Sequence, residues 1–362
     1  MKVFIFDLLA YAHHFEDYKR EKFIPYPLPR EHFDPEIAAL TYEQHLQAWA
    51  EMDRLGFDGV GLNEHHTTPH GMMNSPNMMA AVGAQRTKRV KFLLLGNLLP
   101  LHNPLRIAEE FAMVDLLSNG RLNFGAGRGM HPTEYAVFGY DWSNAQSRLP
   151  EALDIVIKAW TGGEFEWKGP YYQFPKLNVY PKPLQKPHPP VYITANRELE
   201  NFQMIGRRGH HLMTLPWVAT NELQGPRVRH YQDALRAAAH SVDDKEVFVM
   251  YPVYIGNDDA QAHAEVIEHW RRWRIFALAA LDLDPSKGEA YERVFNHLEY
   301  DAMVRDSRGV FGGPETCAQI LRKIIDVVGV THIGLTFHFG GLSQGKVLKS
   351  MERFARQVRP AF

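Results

Sequence analysis

Two adjacent histidines, His65 and His66, close the run Gly61-Leu62-Asn63-Glu64-His65-His66. An imidazole can take up or release a proton near neutral pH, so either is a candidate general acid or base. Successive strand residues point to opposite faces, so one of the pair can enter a pocket at the strand end while the other packs or caps. His65 is the candidate catalytic residue; the alternative is a hydrogen-bonded structural histidine. A second group suits an anion. Asn123-Phe124-Gly125-Ala126-Gly127-Arg128-Gly129 has closely spaced glycines that let backbone N–H groups approach a phosphate, and Arg128 adds a planar fork of donors. A third stretch, Ala195-Asn196-Arg197-Glu198-Leu199-Glu200-Asn201, opens a helix. Its first turn would offer free N–H groups and a favourable dipole to the same anion. Arg128 and Arg197 would then form a two-part clamp. Against it stand the acidic Glu198 and Glu200, a plain capping role for Asn196 or Asn201, and a solvated Arg197. The adjacent pairs His13-His14, His65-His66 and His210-His211 lack the His-x-His or one-turn spacing of metal ligands, so no metal site is expected.

These groups need a scaffold that brings strand ends together. Strand candidates are Val3–Leu8, Gly59–Leu62, Lys91–Leu95, Leu122–Ala126, Val191–Thr194, His211–Leu215, Phe248–Val253 and Ile333–Phe337. Helical patterns fall between them: Tyr42–Leu55, Asn77–Arg86, Leu105–Leu117, Ala145–Trp160, Leu199–Arg208, Glu222–Ser241, Pro314–Val328 and Lys346–Val358. Alternating strands and helices imply parallel β with crossovers. Eight such units predict an α/β fold, a (β/α)8 TIM-like barrel, as one domain over residues 1–362. Polar and glycine residues ending the second, third and fourth strands would share one face, where such barrels keep their chemistry.

A minimal barrel uses about 250 residues, which leaves roughly a hundred for insertions. Three are predicted, at 19–35, 162–190 and 258–307. The second should hold a hairpin around Trp167–Tyr172, and the first and third should lie over the strand ends. Composition is ordinary, 45% hydrophobic and 23% charged, with net charge −2. That balance argues against a general nucleic-acid or membrane binder. One cysteine, Cys317, excludes an intrachain disulfide, and a soluble cytoplasmic protein follows by default.

Several motifs occur together along the chain: Leu55-Gly56-Phe57-Asp58, Glu64-His65-His66, Asn103-Pro104-Leu105-Arg106-Ile107-Ala108-Glu109-Glu110 and the run from Asp115 to Gly125. Gly127-Arg128-Gly129 through Glu134, Phe138-Gly139, Ala195-Asn196 and Gly340-Gly341…Ser350-Met351-Glu352-Arg353-Phe354 continue the set. Together they resemble the bacterial luciferase-like, flavin-dependent monooxygenase family. The resemblance implies a barrel that holds reduced FMN at the strand C-terminal ends and oxygenates through a C4a-hydroperoxyflavin formed with O2. It makes His65 the proton-transfer group and Arg128 the phosphate ligand. Leu95, Gly96 and Asn97 would lie under the flavin ring, with a non-prolyl cis peptide at Leu95–Gly96. Met130, Ala195, Asn196, Arg197 and Asn201 would complete the cofactor contacts. FMNH2 would come from a separate flavin reductase, since no nicotinamide-binding Gly-x-Gly-x-x-Gly follows a first strand. A homodimer through Asn77–Arg86 and Leu105–Leu117 is also implied, and the aromatic content of the insertions points to a small, largely apolar organic substrate. Gly127 stands where the luciferases carry a reactive cysteine, which argues against light emission from a long-chain aldehyde. Glu198-Leu199-Glu200-Asn201 replaces the family's usual Ser-Pro-Glu-Thr. Alternatives are an F420-dependent oxidoreductase on the same barrel, a non-catalytic flavin-binding protein and a metallohydrolase.

Overall fold

The computed structural model describes residues 1–11, 24, 28–68, 70–129, 132–215, 219–280 and 283–362. Eight parallel strands close a barrel: β1 (Lys2–Asp7), β2 (Gly59–Leu62), β3 (Lys91–Leu98), β4 (Leu122–Gly127), β7 (Val191–Thr194), β8 (His211–Thr214), β9 (Val247–Ile255) and β11 (His332–Thr336). They pair in that order, and β11 returns to β1. These are the eight strands predicted from the sequence, with ends that coincide or differ by at most three residues. Each is buried because helices cover the outside and side chains fill the inside. Gly59 is fixed by packing: a Cβ there would overlap the Phe4 ring, its register neighbour on β1.

The covering helices are α1 (Pro35–Leu55), α2 (Pro76–Arg86), α3 (Pro104–Leu117), α5 (Ala145–Thr161), α6 (Leu199–Arg207), α7 (Asn221–Ala237), α11 (Pro314–Ile324) and α12 (Gln344–Arg353). A short α4 spans Pro132–Val137. α1 starts seven residues before the periodic pattern at Tyr42. Its start lies in Asp34-Pro35, where the Asp34 side chain accepts from the N–H groups of Glu36 and Ile37 and Pro35 takes the first helical position. The last residue of the predicted 19–35 insertion is therefore helical.

The 162–190 segment carries the predicted hairpin, β5 (Phe165–Lys168) antiparallel to β6 (Gln173–Leu177). The 258–307 segment is helical, with α8 (Asp259–Ala280), α9 (Glu289–His297) and α10 (Tyr300–Arg305). A three-residue strand, β10 (Val310–Gly312), then pairs with the outer end of β9. Ile24 and Leu28 of the first insertion pack on Ile275 and Phe276 of α8. His13 and His14 lie outside the described residues. No helix among the described residues is long and apolar enough to cross a membrane.

Candidate active site

A cavity of about 1050 Å³ opens at the C-terminal ends of the strands. His65, Leu95, Gly96, Arg128, Ala195, Asn196, Arg197 and Asn201 all line it, so residues far apart in sequence share one cavity. Met130 lies outside the described residues. A smaller cavity of about 280 Å³, lined by Lys245, Val247 and Thr331 among others, opens near the start of β9. It lies at the opposite end of the strands from the residues singled out above.

His65 and His66 lie past the end of β2, in irregular backbone, and face different ways. His65 lines the cavity, with Nδ1 3.4 Å from Glu134 Oε1. The same carboxylate oxygen accepts the His66 N–H at 2.9 Å, so Glu134 holds both the imidazole and the backbone beside it. His66 turns away, its Nε2 2.8 Å from Glu64 Oε1 and its ring edge-on to Phe138. Glu134 sits on α4, and no spacing rule links it to a histidine 69 residues earlier.

Glu64 is a buried hub. Oε1 meets Nε2 of His66 and, at 2.6 Å, Nε2 of His102. Oε2 accepts from Asn97 Nδ2 at 3.0 Å and from the Leu98 N–H at 2.9 Å. Burial pushes this carboxyl up, but the histidines and the Leu98 N–H outweigh it and hold it at about 2. The same pairing raises His102 against the opposing effect of burial. A second hub, Asp7, receives the Trp49 indole N–H and lies 2.7 Å from His45 Nδ1. Glu64, His66 and His102, and likewise Asp7, His45 and His338, bring three ligand-type atoms within 4.8 Å of one another. Spacing along the chain did not reveal these groupings, because their members come from different elements. At Glu64 four hydrogen bonds saturate the carboxylate, which is the arrangement of a structural network.

β3 corrects two expectations. Its pairing with β4 slips between Leu94 and Asn97, and Gly96 has φ +85°. The Leu95–Gly96 bond is not cis; the cis bonds among the described residues are Tyr180–Pro181 and Lys186–Pro187. A bulge with a left-handed glycine already turns the chain there, without a cis amide. Asn97 is buried against Glu64 and is not part of the cavity wall.

The glycine motif divides by role. A Cβ at Gly125 would overlap the Leu94 carbonyl oxygen, so that glycine serves strand packing. At Gly96 an added Cβ meets nothing within 4 Å, and at Gly127 the nearest atom is the Gly96 Cα at 3.3 Å. Gly96 therefore leaves bare backbone facing open space, while Gly127 packs closely against it. Arg128 stacks over Trp142, with its guanidinium carbon 5.1 Å from the ring centroid. Its carbonyl accepts from the Tyr135 hydroxyl. It has no ion-pair partner among the described residues, which leaves its charge for a ligand.

Asn196 does not cap α6. Its Oδ1 accepts the Leu215 N–H at 2.9 Å, tying the ends of β7 and β8, and the N-cap of α6 is Glu198. Asn201 Oδ1 accepts from Gln146. Arg227 on α7 was not apparent from the sequence. It donates to the Asn196 carbonyl at 3.1 Å and to Gln224, and it lines the cavity beside Arg197. Much of the remaining wall is apolar, with Phe6, Met250, Tyr251 and Pro252 from the barrel and Trp273, Ala277, Val294 and Leu298 from the third insertion.

Fold and site thus define a parallel barrel with one large mouth cavity, cationic on one arc and apolar on the other. The family model described as luciferase-like monooxygenase matches residues 23–332, and the chain belongs to that family. It is 28% identical over 336 residues to the oxygenase component of the flavin-dependent trigonelline monooxygenase of Acinetobacter baylyi, covering 91% of this chain and 92% of that one. Its fold matches the oxygenating constituent of 3,6-diketocamphane monooxygenase of Pseudomonas putida, solved with FMN, at TM-score 0.76 and 19% identity over 94% of this chain and 97% of that one. It also matches an F420-dependent secondary alcohol dehydrogenase at TM-score 0.70 and 17% identity, over 99% and 98%.

Proposed function

We propose that this chain is an FMN-dependent monooxygenase that uses reduced FMN and O2 to oxygenate a small, largely apolar organic substrate. The observation that carries this reading is the pairing of an open glycine floor with unpaired arginines in one cavity. Gly96 leaves room for a flat ring over Leu95–Gly96, and Arg128, Arg197, Asn196 and Asn201, with Ala195 beside them, would hold the phosphate. Reduced FMN supplies the electrons that activate O2. The chain's own part is to bind, orient and exclude water, and to move a proton at His65 Nε2 while Glu134 holds Nδ1. The apolar wall of Phe6, Tyr251 and Trp273 receives the substrate. FMNH2 comes from a separate flavin reductase, and the protein works in the cytoplasm.

FMN titration followed by oxygen consumption with the FMNH2 form tests this. Bound FMN without oxygen uptake across a substrate screen would indicate a non-catalytic flavin-binding protein. The F420 reading draws on one observation, the arc of Arg128, Arg197 and Arg227, which would suit a longer anionic tail. Competition between FMN and F420 separates the two. Arg128→Ala should weaken FMN binding by about 1.5–3 kcal/mol, the worth of a charge-assisted contact, with little change in Tm. Unchanged affinity would remove Arg128 from the site.

The assembly is proposed to be a homodimer through α2 and α3. Their outer faces expose Met78, Val82, Met113, Leu116 and Leu117, a grouping suited to a second copy of the same surface. Light scattering at micromolar concentration should give the mass of a dimer, and Met78→Glu with Leu117→Glu should give a monomer. A monomeric wild-type mass would contradict the assignment.

A further inference from the structure

We propose that the substrate taken into this cavity carries a carboxylate on its apolar body, and that Arg293 receives it. The inference rests on the flavin reading above and names the substrate class for that same site. Arg293 lies on α9 and lines the cavity at an exposed position. Among the described residues it makes no hydrogen bond or ion pair, although Glu289 and Glu292 share its helix. Its neighbours in the wall are apolar: Trp273, Ala277, Ala290, Val294 and Leu298. His297, one turn further on, adds no positive charge near neutral pH, because burial and the nearby Arg308 hold its imidazole below the usual range. A single guanidinium on an apolar wall is the kind of sparse polar group that fixes a ligand's orientation. Its planar fork fits a carboxylate with two parallel hydrogen bonds.

The charges around the cavity leave Arg293 in surplus. Arg128, Arg197 and Arg227 follow three consecutive barrel strands, β4, β7 and β8, and form one arc for a phosphate dianion. Arg293 comes from the insertion after β9, outside that arc. Among the described residues the carboxylates in the wall are Glu64 and Glu198. Glu64 is spent on His66, His102, Asn97 and Leu98, and Glu198 stands beside Arg197 in the chain. The volume agrees. At about 1050 Å³ the cavity is at the upper end of single-ligand sites, which run about 300–1,000 Å³, so a second molecule has room beside the cofactor. The acid would sit at the rim with Arg293, and the apolar body would fill the interior against Trp273 and Leu298.

The test is calorimetric titration of the FMN-loaded protein with medium-chain and phenyl-substituted carboxylic acids and with their matched primary amides. Wild type should bind the best acids about tenfold or more tightly than their amides. In R293Q that preference should fall to within about twofold, with FMN affinity unchanged. R236Q, which removes an exposed arginine paired with Asp233, should keep the preference. No acid preference in wild type, or a preference that survives in R293Q, would overturn the proposal. So would a matching loss of FMN affinity in R293Q, which would give Arg293 to the cofactor. Failure of the wild-type protein to bind FMN at all would instead overturn the flavin reading beneath it.

Discussion

His65→Ala should lower product formation about 10²–10⁴-fold while leaving Tm and FMN affinity near those of wild type. The size follows from removing a positioned proton-transfer group. The retained stability follows from how the segment is anchored. The His65 N–H donates to the Met73 carbonyl, and the His65 carbonyl accepts from the Asn74 side chain at 2.8 Å. Both bonds belong to the main chain of residue 65 and survive truncation of the imidazole. The neighbouring His66 N–H keeps its bond to Glu134. A purely structural His65 would show the reverse pattern, lower Tm with product yield intact. Product yield, melting and FMN titration on one preparation separate the two. A stable variant with full yield would remove His65 from catalysis.

Glu64→Leu should destabilise the fold by about 3–5 kcal/mol, the cost of leaving buried polar partners without their charge. Four donors converge on this carboxylate from three places: His66, His102, and the β3 end at Asn97 and Leu98. The loss should appear as a lower denaturation midpoint with an unchanged slope. The pH dependence has a definite sign. Glu64 is held well below its ordinary value, at about 2, so its stabilisation is complete above about 4.5 and is lost as pH falls toward 2. The variant should therefore lose less stability than wild type across that window. Equal midpoints at pH 7 would show that the network contributes nothing to stability.

The barrel was legible because each strand announces itself locally, by a short apolar run bounded by turn residues. What escaped the sequence depends on register and on contacts between distant segments. β3 runs on to Leu98 past a slip in its pairing with β4, and no local signal marks a slip. β10 has three residues and exists through its match to Val253–Ile255. In the site, glycines and arginines could be read, but their division of labour could not. Gly125 answers to the Leu94 carbonyl and Gly127 to the Gly96 backbone, whereas Gly96 faces open space. Asn97 was expected beneath a flavin ring and is turned to Glu64, whose carboxylate comes from the segment after β2. Glu134 and Arg227 act on residues 69 and 31 positions away in the chain, beyond any motif.

The third insertion has both feet on one strand. It leaves from the end of β9 and returns as β10, which pairs with that same strand at Val310↔Val253. Gly256 N–H donates to the Gly312 carbonyl, and Asp259 accepts from the Gly313 N–H, so the two feet are also tied to each other. Such an element is a cassette. A different helical excursion could be exchanged between the Gly256 and Gly313 ends without disturbing the register of the seven other barrel strands. The cationic arc that follows β4, β7 and β8 would be inherited intact, while the wall carrying Trp273 and Arg293 would be replaced as a piece. Descent within such a family can therefore keep one electron-supplying apparatus and change diet by swapping a single segment. Chimeras cut at these two glycines are the natural place to observe it.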